Sequence, residues 1–305
     1  MTGPIDALIA RVDSALAGFL DTRTASLAEV GADLVPVAGA ARAFVLDGGK
    51  RVRPLLVLAA AQTVHGQRDA AMRAACAVEL IHAYSLVHDD MPCMDDDVLR
   101  RGKPTCHVQY DEATALLVGD SLLTLAFQLL AEHRLSDNPQ RQLEMIKLLA
   151  VATGSRGMAG GQAIDLASVG KSLTLPELEF MHIHKTGALI RAAVLLGAHC
   201  GSVSPAQPDS AEKLDKLDRF GKLIGLAFQV VDDVLDCEAD TATLGKTAGK
   251  DADNDKPTYV SLLGIQGARD MAQRLHREAL ETLAGFGDSA QRLRELADFI
   301  VLRKF

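Results

Sequence analysis

The sequence contains no tryptophan, three tyrosines and nine phenylalanines in 305 residues. A core this poor in aromatics must be filled by Leu, Ala, Val and Ile, the composition of packed helices rather than of sheets. The five cysteines, Cys76, Cys93, Cys106, Cys200 and Cys237, are odd in number and show no C-x-x-C spacing. That argues against a disulfide framework and a zinc site and points to a reduced, cytoplasmic setting. The net charge is −8, and there is no Lys/Arg stripe interleaved with aromatics, so nucleic acid is not an expected partner. No uncharged stretch approaches the roughly 20 residues of a membrane span, so stable membrane insertion is not expected. The opening "MTGPIDALIARVDSALAGFL" has acidic residues where a signal peptide would be basic, and its apolar positions follow helical spacing. No Pro/Ser-rich linker and no fixed-period repeat interrupts the chain, which leaves one domain over residues 1–305 as the expectation.

What is present is helical periodicity throughout, without a convincing set of alternating strands. Helices are expected at about 5–20, 35–46, 52–65, 69–90, 108–133, 138–168, 176–200, 209–237, 257–266, 267–285 and 290–302. "DGGK" offers glycine caps, "SDNP" a stop and restart, and "SLTLPEL" a Ser/Thr cap with proline in the first turn. Two loops, 91–106 and 238–256, are richer in charge than connectors need to be.

Each of those loops follows an apolar helix that ends in aspartates. The first cluster, "DDMPCMDDD", puts Asp89, Asp90, Asp95, Asp96 and Asp97 in nine positions. The second, "QVVDDVLD", carries Asp232, Asp233 and Asp236, with Asp232 and Asp236 one turn apart on the same helix face. Close carboxylates repel by about 1 kcal/mol in water and about 4 kcal/mol at the effective dielectric of a cleft, so a positive partner is expected. Acidic residues at a helix C-terminus also oppose the macrodipole. One such cluster alone reads as a solvated helix end. Two, each on a greasy helix and each followed by Arg or Lys, read as a site. Oxygen ligands without His or Cys suit Mg²⁺, which takes one or two carboxylates plus substrate phosphates. "DADNDK" at 251–256 fails as an EF-hand loop, because Lys256 stands where glycine is needed and Leu262 where glutamate is needed. His88-Asp89 invites a metal phosphohydrolase reading, but the other histidines lack the matching spacing.

Taken together, "LIHAYSLVHDDMPCMDDDVLRRGKPTCH" and "GLAFQVVDDVLD…LGK" resemble the two aspartate-rich motifs of trans-isoprenyl diphosphate synthases, of the bacterial farnesyl diphosphate synthase type. The resemblance runs from "GGKRVRP" to "DNDKPTY", about two-thirds of the chain. It implies an all-α fold, a single large helical bundle around a deep central cavity, usually in a homodimer. It implies that Mg²⁺, with Mn²⁺ as a substitute, draws the diphosphate off an allylic substrate so that isopentenyl diphosphate can attack, proton loss restoring the alkene. On that resemblance Asp89, Asp90, Asp95, Asp232 and Asp236 are the metal ligands, and Asp96 and Asp97 add supporting charge. Arg100, Lys185, Thr186, Gln229 and Lys246 hold the allylic diphosphate, and Lys50, Arg53, His82 and Arg101 hold isopentenyl diphosphate. Gln162, Asp165 and Lys256 match positions near the site. Arg supplies planar bidentate donors to phosphate and Lys a compact mobile charge.

The growing hydrocarbon must extend below the first motif, where Ser85 and Tyr84 lie about one turn deeper. In the family, an aromatic residue at the position of Tyr84, with the two-residue expansion of the first motif, is typical of bacterial enzymes that stop at fifteen carbons. The expectation is (2E,6E)-farnesyl diphosphate. A geranylgeranyl diphosphate synthase is the nearest alternative. "DDVLD" and the Arg100-Arg101 pair argue against a terpene cyclase, and the two intact clusters argue against a noncatalytic regulatory subunit. The terminal "VLRKF", with Arg303 and Lys304, is expected to fold over the cavity mouth.

Overall fold

The computed structural model describes residues 3–31, 35–201, 208–238 and 257–303. The helices are α1 (Pro4–Val30), α2 (Val35–Val45), α3 (Val52–Thr63), α4 (Arg68–Asp89), α5 (Cys106–Gln109), α6 (Glu112–Glu132), α7 (Pro139–Thr153), α8 (Met158–Ala167), α9 (Leu175–His182), α10 (Ala188–His199), α11 (Pro208–Glu238), α12 (Tyr259–Thr282) and α13 (Gln291–Leu302). The all-α expectation holds. Among the described residues the sole strands are a two-residue hairpin, β1 (Leu99–Arg100) and β2 (Lys103–Pro104), with Leu99 opposite Pro104 and Arg100 opposite Lys103.

α4 is the central post. Ala70, Ala71, Ala74, Ala75 and Ala77 let neighbouring helices approach closely, while Val78, Leu80 and Ile81 fill the space between them. α4 packs along α6 and α3, α10 along α3 and α11, and α11 along α12. By length and composition alone, α4 and α6 would be long and apolar enough to cross a bilayer. Both are elements of this packed bundle, with two-thirds of the apolar window of α4 buried and 39% of that of α6.

Several boundaries differ from the sequence expectation for local reasons. α1 runs ten residues past 20 because nothing breaks it before Gly31, and the hydroxyls of Thr22 and Thr24 fold back onto the carbonyls of Gly18 and Leu20. The helix expected over 138–168 is two, since Gly154 adopts extended backbone and Gly157 another non-helical conformation, dividing α7 from α8. Asp111 caps α6 by accepting from the Thr114 N–H at 2.7 Å, so the helix expected from 108 starts at 112. The break expected near 266 is a kink at Gly264 inside α12, with φ +70°. The stretch 176–200 is helical throughout but contains a π-turn, Ile183–Gly187, joining α9 to α10.

Candidate active site

The first acidic wall is the C-terminal end of α4 and the turn beyond it. That turn folds back by backbone bonds: Asp95 N to Asp89 O at 2.9 Å, Asp97 N to Asp90 O at 3.1 Å, and Asp96 N to Met91 O at 3.2 Å, with Asp96 in the left-handed region at φ +51°. Asp90 is 1% exposed. Both of its oxygens accept from Arg100 Nε at 2.9 Å, and Oδ1 also from Nη2 at 2.5 Å, so the hairpin is clamped beneath the helix end. Asp89 stands half-buried beside it. Burial pushes its carboxyl up to about 6 against the pull of Lys185, and Asp95 and Asp90 add repulsion.

The second wall is the inner face of α11. Asp233 is buried; it accepts from Gln229 Nε2 at 2.9 Å and from the Tyr259 N–H at the start of α12 at 2.8 Å. Thr186 Oγ1 donates to Gln229 Oε1 at 3.1 Å, which ties the π-turn to the same chain. Asp232 is bonded by Arg303, whose Nη2 also donates to Phe228 O at 3.3 Å and whose guanidinium lies 4.1 Å over the Phe228 ring. The tail therefore does reach the second motif through Arg303; Lys304 lies outside the described residues.

Between the walls the π-turn presents Lys185, whose Nζ donates to Asp165 Oδ2 at 2.5 Å. Gly161 of α8 admits the turn: a Cβ there would lie 2.1 Å from Lys185 N. Gln162 and Asp165, on the same helix, are buried against this turn.

The basic side is a narrow cleft whose lining includes His82, Arg100, Arg101, Arg51 and Glu79. Arg101 reaches back to Gly48 O at 2.5 Å. Arg53 lies 3.4 Å from His82 Nε2. Burial, with Arg53, Arg101 and Arg100 nearby, holds His82 well below the usual histidine range and so neutral. Lys50 is exposed but close enough to Arg303 and Asp232 for both to act on its charge. Tyr84 is half-buried one turn below Asp89, edge-on to His88 at 5.8 Å and 81°, and the Ser85 hydroxyl folds back to His82 O at 2.9 Å. Asp89, Lys185 and Arg100 thus lie near one another, as do Arg53 and His82, and Lys50, Asp232 and Arg303, while Asp236 lies one turn beyond Asp232 on α11, and Lys246 and Lys256 lie outside the described residues.

Residues 36–295 match the model of the polyprenyl synthetase family. The chain is 47% identical over 270 residues to a farnesyl diphosphate synthase of Haemophilus influenzae, covering 88% of this chain and 89% of that protein. The protein belongs to the polyprenyl synthetase family. It is also 48% identical over 266 residues to a chloroplastic geranylgeranyl pyrophosphate synthase of Capsicum annuum, covering 87% of this chain and 70% of that one. A Helicobacter pylori geranyltransferase, solved with magnesium and isoprenyl diphosphate, superposes with a TM-score of 0.80 at 33% identity, covering 99% of this chain and 98% of that one. This polyprenyl synthetase is a trans-prenyl diphosphate synthase, a transferase of isoprenoid biosynthesis acting on small-molecule isoprenyl diphosphates.

The sequence reading missed the packing roles of three groups. Arg51 sits inside "GGKRVRP" like its basic neighbours, yet it is 4% exposed, left-handed at φ +49°, and bonded to Glu79 at 2.6 Å, Asp13 at 2.8 Å and Val45 O at 2.7 Å. It is a structural cation under the cleft, with Glu79 its partner. The signal was present in the rarity of a glutamate amid the alanines of α4. His88 is the third, and its packing is taken up below.

Proposed function

We propose that this prenyltransferase joins isopentenyl diphosphate to dimethylallyl and then geranyl diphosphate, making (2E,6E)-farnesyl diphosphate in the cytoplasm as a homodimer. The observation that carries the product length is Tyr84, half-buried one helical turn below Asp89, where the lengthening hydrocarbon would meet its ring. An isoprene unit is comparable to the helix pitch of roughly 5 Å, so a ring at that depth limits elongation to a defined unit.

The donor set fits Mg²⁺. Among the described residues no three His, Cys, Asp or Glu side chains form a ready-made metal cage, so substrate phosphate oxygens would have to complete a Mg²⁺ shell. Burial first, and then the neighbouring Asp95 and Asp90, push Asp89 up, and a bound cation would favour its charged form. Asp89 and Asp95 would hold metal from the first wall, and Asp232 and Asp236 from the second. Asp90, committed on both oxygens to Arg100, would brace the wall. Bound Mg²⁺ would supply the positive charge that stabilises the departing diphosphate. Lys185, Thr186 and Gln229 would orient that diphosphate, with Arg100, Lys246 and Lys256 as further cations.

Lys50, Arg53, His82 and Arg101 would hold isopentenyl diphosphate. The Nε atoms of Arg53 and Arg303 are buried without a hydrogen-bond partner among the described residues, the condition an anion would satisfy. The apolar walls would exclude water from the reacting carbons. Leu116 and Leu117 leave α6 half-exposed and apolar, a face that a second copy of the chain would cover.

The deciding experiment supplies isopentenyl diphosphate, each allylic primer and Mg²⁺, then sizes the products. Fifteen carbons is expected, whereas mainly twenty-carbon product favours the geranylgeranyl reading, to which the Capsicum annuum relative gives weight. Chelation should abolish turnover, Mg²⁺ or Mn²⁺ should restore it, and Tyr84→Ala should lengthen the product.

A further inference from the structure

His88 lies between the metal wall and the hydrocarbon floor, and neither role absorbs it. It is the residue before Asp89 and four after Tyr84, so its ring and the Tyr84 ring share one face of α4. Their centroids are 5.8 Å apart at 81°, with one ring edge abutting the other face. On its far side the imidazole is seated on the backbone of α6. A Cβ built on Gly119 would fall 1.9 Å from His88 Nε2, 2.2 Å from Cδ2 and 2.6 Å from Cε1, so any side chain at 119 would have to displace the ring. Nε2 also lies 3.1 Å from Leu116 O. Since a carbonyl only accepts, the Nε2 of His88 carries the proton in that bond.

The ring is thus held by a bond at its tip and by a notch that glycine alone provides. A tyrosine buttressed this way cannot swing toward α6 unless His88 leaves first. We propose that His88, seated on Gly119, is a positioning residue that fixes how far the Tyr84 ring stands in the path of the growing chain, and so tunes product length. The inference rests on the reading of Tyr84 as the floor. It predicts that the floor can be moved without touching Tyr84.

The test is the product distribution from geranyl diphosphate, isopentenyl diphosphate and Mg²⁺, with melting curves for every variant. His88→Ala should raise the ratio of twenty- to fifteen-carbon product at least fivefold. His88→Gln, which can still donate to Leu116 O but has no ring, should lengthen the product in the same way. His88→Phe, which keeps the ring and loses the bond, should stay within twofold of the parent ratio. Gly119→Ala should push the imidazole toward Tyr84 and, from dimethylallyl diphosphate, raise the ten-carbon share; if it does not fold, the His88 variants carry the test. An unchanged ratio in His88→Ala, or an equal loss of every product, overturns the proposal. The floor reading fails separately, through Tyr84→Ala. No lengthening there sinks the floor, and lengthening there with none in His88→Ala sinks the buttress alone. Lengthening in His88→Ala without it in Tyr84→Ala overturns the route through Tyr84.

Discussion

The two acidic walls look alike in the sequence and are built differently. Each opens with an Asp-Asp pair, and in each the second aspartate is buried while the first is half-buried. In the first wall the scaffold is backbone plus one cation: main-chain bonds fold the turn, and Arg100 clamps Asp90 and lies 3.9 Å from Asp97. In the second wall the scaffold is a relay of side chains, Thr186 to Gln229 to Asp233, ending on the Tyr259 N–H. The relay links three helical elements, so the second wall is coupled to the π-turn and to the start of α12. The first is coupled mainly to its own hairpin. A doubled aspartate is therefore one half-buried carboxylate, the proposed ligand, and one anchor, and the anchor is what differs.

The contrast is broken most severely at the ligands. Asp89→Asn and Asp232→Asn should each lower kcat by about 10²-fold or more, the usual scale for losing one preorganised electrostatic group. Asp89→Asn should also raise the melting temperature, because it removes a carboxylate whose charged form burial opposes. Both follow from steady-state kinetics and calorimetry on the same preparations.

The anchors should show the reverse signature. Arg100→Met leaves Asp90 buried without its cation and should cost about 3–5 kcal/mol in urea denaturation. Asp233→Leu orphans one buried main-chain donor and one amide, and should cost about 2 kcal/mol. If the second loss exceeds the first, the difference between an ion-pair scaffold and a hydrogen-bond relay is wrong.

The smallest expected effect is a pH dependence next to the second wall. His182 stacks on Tyr259 at 5.4 Å, and burial lowers it to about 4, with Asp165 opposing and Lys185 assisting. Its folded value lies below the unfolded one of 6.5, so the unfolded chain binds the extra proton between pH 6.5 and 4. Its contribution is fully present above about 6.5 and is lost as the pH falls toward 4. Lowering the pH from 7.5 to 5.5 should cost roughly 1 kcal/mol through this residue. His182→Phe should flatten that part of the stability curve.

The helical class was legible because apolar residues recur at helical spacing almost everywhere, and the walls because five carboxylates in nine residues have no structural excuse. The division of labour within each pair was not legible. Whether Asp89 or Asp90 is buried depends on where a hairpin sets Arg100, a contact made across the chain. The break at Gly154 and Gly157 was masked because apolar spacing continues through it. Arg51 and Arg53 read as equivalent basic residues, but left-handed backbone at Arg51 turns one inward to Glu79, while the other lies against His82 and the Phe228 ring.

The π-turn at Ile183–Gly187 carries a consequence for any family of descendants of this chain. A π-turn is one residue too many in an otherwise regular helix. Deleting a single residue there would heal α9 and α10 into one uninterrupted rod, relieving the irregular turn. The same deletion would swing everything on one side by about 100° relative to the other, carrying Lys185 away from Asp165 or Thr186 from Gln229. The helix would be mended and the contacts of Lys185 and Thr186 lost, so gap-free length through this segment is itself a constraint on what the sequence can become.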